Sequence, residues 1–584
     1  MPKPKKSTEA SLDNIRHSLA HLLAAAVLKR FPGTKLGIGP TIENGFYYDF
    51  EFPHGAKINE ETLTALEKDM RGLIRQNLPF TGKKVTPAEA KKIFRDQSFK
   101  LDLIKEFTKE ARQLTTYKTG EIFLDLCRGG HVENTQGINP AAFKLTKLAG
   151  AYWRGDEKNP QLTRIYGVAF SSPEELENYL KMIEEAERRD HKKLGPRLEL
   201  FMFHETAPGM PYWLPKGVQL YNALVNFWRE EHEKRDYQEI VSPLINKKEL
   251  YKTSGHFDHY WENMFTSKTS EGEEYALKAM NCPNAMVVFG SRPHSYRELP
   301  LRLSDTDPLH RFELSGTLNG LFRVREFRQD DAHIFVTEDQ IADEYKNVFE
   351  IVELFYSIFN LSYRFRLGTR PKSFLGDVKT WNQAEASLKR ILKESGKDYF
   401  IEEGDGAFYG PKVDILMKDA LGREWQMGTV QLDFQQPRRF KLAYIDKDGK
   451  EKTPVAIHRV IYGSLERFIG ILIEHFAGAF PLWMAPVQAQ ILAVSDKSQA
   501  YAKKVFEQLR SHNIRVELTD SNETLGKRIR EAELQKIPYV LVVGEKEMAN
   551  KSVSVRHYRR GQDGEINEET LVQKLKQEIR EKII

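Results

Sequence analysis

Cysteine is almost missing from this sequence: 584 residues contain 2. So few cannot build a disulfide framework, and they fit a reducing compartment. Long apolar runs are missing too. The most apolar stretch, Phe468 to Ala485, is broken by Glu474, His475, Gly478 and Pro481, and it reads as a buried helix plus a loop, not a membrane span. The first residues, MPKPKKSTEASLDN, hold no apolar segment of the secretory kind, so a cytoplasmic protein without membrane attachment is expected. There is no excess of one charge: 88 Lys and Arg against 83 Asp and Glu leave +5. That excludes a histone-like polycation and still permits local basic surfaces. Neither a GxxxxGK[ST] loop nor a GxGxxG between strand and helix occurs, which argues against Walker and Rossmann nucleotide sites. Core material is plentiful, with 34 Phe, 23 Tyr and 7 Trp in a chain 40% hydrophobic and 29% charged, so disorder and low complexity are excluded. At roughly 150 residues per domain, three or four domains are expected.

Patterning divides the chain. Residues 1–11 read as a basic tail. A helix begins at Ser11–Asp13, carries Ile15, Leu19, Leu22 and Leu23 at helical spacing, and stops at Pro32–Gly33. GIGPTIENGFYYDFEFPHG alternates like strands joined by turns, residues 58–115 carry mixed-charge helical patterns, and strands return from Phe123 to Tyr166. The run EELENYLKMIEEAERRDHKKLG predicts one charged helix leading to a boundary at Gly195–Pro196. The largest block, 196–485, holds an amphipathic helix near Lys216–Lys234, the segment EIVSPLI, an arginine-rich strand pair around 310–328 and a closing strand–helix unit. From 486 onward strands and helices alternate, as in an α/β domain.

Several groups of residues can do chemistry. His17 and His21 are four apart on the first helix and project from one face. Cys127 and His131, in LDLCRGGHVENT, are also four apart. Three histidines and a thiol suffice for tetrahedral zinc, and they suit equally a metal-free cleft that positions water on an ester; ordinary surface histidines are the plain alternative. Cys282, in KAMNCPNAM, is by default a buried structural cysteine. In HRFEL, Arg311 and Glu313 share one strand face, as do Arg323 and Arg325 in LFRVREF, so SGTLNG would join them as a hairpin rich in guanidiniums. Guanidinium forks match phosphate oxygens, although a solvated charged face would look the same. A second element tips the balance. In GSLERFIGILIEHF, Ser464 and Arg467 share one face of an otherwise apolar helix, where an arginine needs a partner.

The helix ending in EIVSPLI, the FRxE-type segment at Arg311 and Glu313, and GSLERFIG resemble motifs 1, 2 and 3 of class II aminoacyl-tRNA synthetases. KTSGHFDHY, AMNCPNAM, QDDAHIF, GAFYGPK, GTVQLDF and AIHRVIYGSLERF, together with HSLAH and CRGGH, are similar to bacterial-type threonyl-tRNA synthetases over about 12–584. The resemblance implies a multidomain α+β protein: an editing domain over 12–195, a class II antiparallel sheet flanked by helices over 196–485, and an α/β anticodon-binding domain over 486–584. It implies a homodimer that joins threonine to tRNA(Thr) with ATP and magnesium and hydrolyses mischarged Ser-tRNA(Thr).

By the same resemblance, Arg311 holds the α-phosphate of ATP, Glu313, Arg323, Gln426 and Arg467 complete the nucleotide site, and His256 serves the transfer to tRNA. One zinc ion per subunit is expected on Cys282, His333 and His458, with Gln329, Asp331, Tyr409 and Gln431 lining the threonine pocket. Valine lacks the hydroxyl that threonine offers a metal, whereas serine lacks only a methyl, worth about 1–3 kcal/mol, which motivates a second, hydrolytic site. His17, His21, Lys100, Asp125, Cys127 and His131 match that cleft, expected to be metal-free, and Asn522, Glu547 and Arg556 match anticodon contacts. Three departures stand out. No room precedes His17 for the usual ubiquitin-like domain, MNCPNAM replaces MNCPGH, and CRGGH replaces CRGPH. A synthetase for another amino acid is disfavoured by the Cys282–His333–His458 set. Intact Arg311 and Arg467 disfavour a non-catalytic RNA-binding paralogue, and a stand-alone hydrolase leaves 197–485 unexplained.

Overall fold

The first helix shows how sequence becomes position. Ser11 caps Leu12–Arg30 by accepting the Asn14 N–H at 3.3 Å, and every residue from Ser18 to Val27 is buried, as expected of an Ala- and Leu-rich helix enclosed on all sides. The computed structural model describes residues 11–584; the expected basic tail, Ser11 apart, lies outside them. The described residues form two compact units that divide between Glu185 and Ala186.

In the first unit, the helix shares a core with an antiparallel sheet ordered Lys35–Leu36, Gly45–Glu51, Gln161–Ala169, Phe143–Tyr152. Strand Gly45–Glu51 buries Phe46, Tyr48 and Phe50 by simple alternation. A second sheet joins Phe80–Val85, Leu114–Thr119 and Phe123–Leu126. Its first strand corrects the helical reading of 58–115: only the end residues of FTGKKV are buried, so the period-two signal is absent.

The charged run before the second unit is also two elements, not one helix. Asp190 leaves helical geometry (φ −49°, ψ 117°) and accepts the Lys192 N–H at 2.9 Å, starting a new helix, His191–Arg197, which continues through Pro196.

In the second unit an eight-stranded sheet is ordered Tyr237–Glu239, Leu301–Asp305, Asp331–Val336, Val455–Val460, Glu424–Asp433, Lys412–Lys418, Ser362–Gly368, Tyr399–Glu402. Its inner pairings are antiparallel, and only the two edge pairings are parallel. One face carries Ala332, Ile334, Val336, Val430, Leu432 and Ile457 into a core with helices Pro215–Glu233, Ile341–Ser357 and Leu465–His475. Alternation leaves Asp331, His333, Gln431 and His458 on the opposite face.

The arginine-rich hairpin is shorter than expected. Only Pro308–His310 and Glu326–Arg328 pair as strands, and between them lie 3₁₀ turns at Ser315–Thr317 and Gly320–Phe322. The Arg311 N–H reaches the Arg325 carbonyl at 2.9 Å, but the Arg325 N–H turns away to the Gly209 carbonyl at 2.7 Å, so regular pairing stops. Residues 488–578 form a sheet ordered Val516–Thr519, Ala489–Ala493, Tyr539–Val543, Ser552–His557, Gly561–Asn567, with the last two pairings antiparallel. The strand Gly561–Asn567 was not legible, because its residues are exposed or half-buried throughout.

Candidate functional site

Strand register builds the centre of the second unit's cleft. His333 lies directly opposite His458, and His458 directly opposite Gln431. Cys282 opens helix Cys282–Phe289, and its sulfur and the two imidazoles bring one donor atom each to within 4.8 Å of one another, all three side chains being buried. His458 Nε2 lies 2.8 Å from Asp433 Oδ2, and His333 Nδ1 is buried without a hydrogen-bond partner among the described residues. Burial, and then the Asp331 carboxylate, push the Cys282 thiol well up, while burial and the neighbouring His458 hold His333 well down. One thiol and two imidazoles, with an orphaned buried nitrogen and a carboxylate behind one ring, fit tetrahedral zinc with an open position. The substituted Asn284 does not intrude: its amide turns to Ser242 Oγ at 3.3 Å and the Pro243 carbonyl at 3.4 Å.

The cleft, a cavity of about 520 Å³, is lined by every expected nucleotide, threonine and metal residue, but not by His256, expected to serve the transfer. Asp331, raised to about 6 mainly by burial, accepts from Asn281 Nδ2 at 3.1 Å, and the Tyr409 hydroxyl donates to Gln431 Oε1. Ser464 caps the motif 3 helix by accepting the Arg467 N–H at 3.2 Å, and Arg467 Nε donates to the Phe322 carbonyl at 2.9 Å. Burial, and then repulsion from Arg311 and Arg323, lower the pKa of Arg467. Guanidiniums crowded in this way favour a polyanion. Glu313 pairs with Arg323 at 2.8 Å, while Arg325 donates to the Glu313 carbonyl and does not line the cleft. His256 sits beneath the lining, 2.8 Å from Ser254 Oγ and 3.7 Å from Cys282 Sγ, and burial lowers it to about 3. Among the lining residues that sequence reasoning missed are His259, stacked on Phe408, and Phe327, under the Arg311 guanidinium at 4.9 Å. Neither stands out from ordinary core aromatics by spacing.

The first unit holds the second cluster, beside a cavity of about 450 Å³ lined by His17, His21, Lys100, Asp125 and Cys127. Cys127 Sγ lies 3.4 Å from His17 Nε2 and 3.3 Å from His131 Nε2, and His131 Nδ1 is 3.3 Å from Ser18 Oγ. The buried Lys100 ammonium is 2.6 Å from Asp125 Oδ1, and Tyr48, missed from sequence among its phenylalanine neighbours, donates to Asp125 Oδ2 at 2.5 Å. Burial lowers His17, lowers His21 strongly and takes His131 down to about 2, while it pushes the Cys127 thiol up to about 11. The CRGGH departure has a backbone consequence: Gly130 holds φ +86°, which a proline ring cannot adopt.

Of the three expected anticodon residues, Asn522 is exposed before helix Leu525–Leu534, Glu547 accepts the Gly544 N–H at 2.9 Å, and Arg556 pairs with Glu533 at 2.7 Å. No described helix is long and apolar enough to cross a membrane.

Comparison with known proteins matches three family models. Residues 265–476 match the tRNA synthetase class II core domain (G, H, P, S and T), 488–578 the anticodon binding domain, and 114–166 the threonyl and alanyl tRNA synthetase second additional domain. The threonine–tRNA ligase of Thermotoga neapolitana is 51% identical over 570 residues, 97% of this chain and 88% of that protein. That of Clostridium tetani is 48% identical over 578 residues, 99% of this chain and 89% of that protein. Among solved structures, the RNA binding domain of threonyl-tRNA synthetase from Cryptosporidium parvum is similar with TM-score 0.65 and 43% identity, covering 66% of this chain and 98% of that one. Putative threonyl-tRNA synthetase ThrRS-1 from Aeropyrum pernix gives TM-score 0.60 at 29% identity, covering 68% of this chain and 96% of that one.

Proposed function

The chain belongs to the threonine–tRNA ligase family, and on that premise we propose how its residues divide the work. It activates threonine with ATP, charges tRNA and edits mischarged product, with a class II core, an anticodon-binding domain and an editing domain. The boundaries we assign are 12–195 for editing, 196–485 for synthesis and 486–584 for the anticodon, the helix His191–Arg197 at the first boundary packing within the second compact unit, and Asn522, Glu547 and Arg556 reading exposed bases.

One observation carries the synthetic assignment: a single cavity unites a Cys–His–His donor set with Arg311, Arg323 and Arg467. In the first step a threonine carboxylate oxygen attacks the α-phosphorus of ATP and diphosphate leaves. Arg311 holds the α-phosphate, Arg323 and Arg467 the remaining charge, Glu313 and Gln426 orient the nucleotide, and magnesium accompanies ATP. Gln329, Asp331, Tyr409 and Gln431 hold threonine. Cys282, His333 and His458 would hold zinc, which would offer open coordination to an amino and hydroxyl pair that threonine has and valine lacks. In the second step the terminal ribose hydroxyl of tRNA attacks the carbonyl carbon and AMP leaves, and we assign His256, a neutral imidazole at pH 7, to this transfer. In the N-terminal cleft, His17, His21, Cys127 and His131 position water on the serine ester, and the Lys100–Asp125 pair fixes the wall beside them. Val241 and Ile245, 86% and 58% exposed in the motif 1 segment, support a homodimer.

The test is amino-acid-dependent ATP–diphosphate exchange with threonine, serine, valine and proline, before and after zinc removal. Strong exchange with threonine, weak with serine, little with valine, and loss on removing zinc is the expected pattern. A folded protein that exchanges with none of them overturns the assignment.

A further inference from the structure

A third group of close donor atoms lies outside both sites: Asp190, His191 and Glu474. Its histidine is fully buried, and both ring nitrogens are spent. Nε2 lies 3.0 Å from the Leu321 N–H, which can only donate, so Nε2 is the acceptor and Nδ1 carries the proton. Nδ1 gives that proton to Glu474 Oε1 at 2.7 Å, and the His191 N–H reaches the same oxygen at 3.2 Å. Glu474 is held on its other side by Arg423. Such a histidine joins elements and has no lone pair left for an ion.

The elements it joins belong to the nucleotide end of the cleft. Leu321 and Phe322 precede Arg323, and they lie along one face of the motif 3 helix. At its start, Arg467 Nε donates to the Phe322 carbonyl at 2.9 Å. One turn on is Gly470, where a Cβ would stand 3.0 Å from Phe322 Cε1 and 3.2 Å from Leu321 Cβ, so any side chain there would push the segment outward by a few tenths of an ångström. One further turn brings Glu474 and, through it, His191. Offsets of three and four residues place Arg467, Gly470 and Glu474 on one face. The His191 ring also covers Phe322, with centroids 4.1 Å apart, and the next residue, Lys192, donates to Asn319 Oδ1 at 3.2 Å. The loop is thus gripped between the motif 3 helix and the helix His191–Arg197.

We propose that His191 is a positioning residue for ATP: it clamps residues 320–322 to the motif 3 helix and thereby fixes both the Arg323 side chain and the carbonyl that orients Arg467. The proposal rests on reading Arg323 and Arg467 as ATP-binding residues. Asp331 and Gln431 hold threonine from the strands Asp331–Val336 and Glu424–Asp433, outside residues 320–322, so the effect of the clamp falls first on the nucleotide.

The experiment is ATP–diphosphate exchange by the full-length protein, with KM for ATP and for threonine measured separately in wild type, His191→Ala, His191→Gln and Gly320→Ala. His191→Ala raises the KM for ATP by about tenfold or more and leaves the KM for threonine and the zinc content unchanged. His191→Gln restores an acceptor at the Nε2 position and recovers most of that loss. Gly320→Ala acts without emptying a buried site, because its Cβ would lie 2.3 Å from His191 Nε2, and it raises the KM for ATP in the same way. If His191→Ala fails to fold, Gly320→Ala decides. An unmoved KM for ATP in Gly320→Ala, or an equal rise for threonine, overturns the clamp, whereas absence of exchange by the wild type overturns the functional reading beneath it.

Discussion

Cys127 with His17, His21 and His131 in the first unit, and Cys282 with His333 and His458 in the second, each bring their donor atoms within 4.8 Å of one another. Their neighbours differ. In the first, Cys127 contacts His17 and His131, His131 contacts Ser18, and the nearby carboxylate, Asp125, is neutralised at 2.6 Å by the Lys100 ammonium. That ammonium also lowers the proton affinity of His21, and it would oppose a metal ion in the same way. In the second, Asp433 stands behind His458 and Asp331 lies on the same strand face as His333, with no ammonium paired to either carboxylate among the described residues. Each cluster also holds one buried ring nitrogen without a partner, His21 Nδ1 in the first and His333 Nδ1 in the second. Donor spacing alone does not distinguish a hydrolytic cleft from a metal site; whether the carboxylate behind the donors is already paired with an ammonium, as Asp125 is and Asp433 is not, separates these two.

The largest expected effect breaks the comparison directly. Cys282→Ser should take bound zinc from about one per subunit to near zero and lower threonine activation by about a hundredfold or more, one of three protein ligands being lost. Cys127→Ser should leave zinc content and activation unchanged while slowing hydrolysis of Ser-tRNA by about tenfold. Elemental analysis of the two purified variants checks this, and metal that follows Cys127 instead would reverse the two roles. A smaller effect sharpens the comparison: Asp433→Asn removes the charge behind His458 and should weaken zinc binding about 10–100-fold. Threonine exchange should then recover with added zinc, which a wholly unfolded variant would not permit.

Much of this was legible in the sequence because the signals are local. The helical spacing of His17 and His21, the Cys127–His131 spacing and, through the family resemblance, the ordered motifs around Cys282, His333 and His458 pointed to both clusters. What was missed depends on partners distant in sequence. Tyr48 looks like one more aromatic of GFYYDFE until its hydroxyl meets Asp125, 77 positions away. His191 looks like a solvated residue of RRDHKKLG, and only Glu474, 283 positions on, and Leu321 give it work. The arginine pair in LFRVREF obeys strand spacing, yet Gly209 captures the Arg325 N–H, so Arg323 and Arg325 part company. The strand Phe80–Val85 carries lysines at its centre that no apolar period could mark.

The smallest effect concerns pH, and it follows from how the first cluster is buried. Its imidazoles have pKa values below the ordinary 6.5, His131 at about 2, while the Cys127 thiol is raised from 9.0 to about 11. Below pH 6.5 the unfolded chain takes up protons that the folded unit refuses, so stability falls with acidification, by up to about 1.4 kcal/mol per pH unit for each fully depressed histidine. Above pH 9 the unfolded thiol gives up a proton that the folded one keeps, so stability falls again until about pH 11. The first unit should therefore be most stable between these limits. Hydrogen exchange of the amides in Leu12–Arg30, measured in the full chain, reads this unit alone. His131→Asn should make the acid limb shallower by one histidine's share and leave the alkaline limb in place. Protection that stays constant from pH 7 to pH 5 would mean that the imidazoles accept protons in the folded state, and the neutral imidazoles that the proposed hydrolytic role uses would be lost.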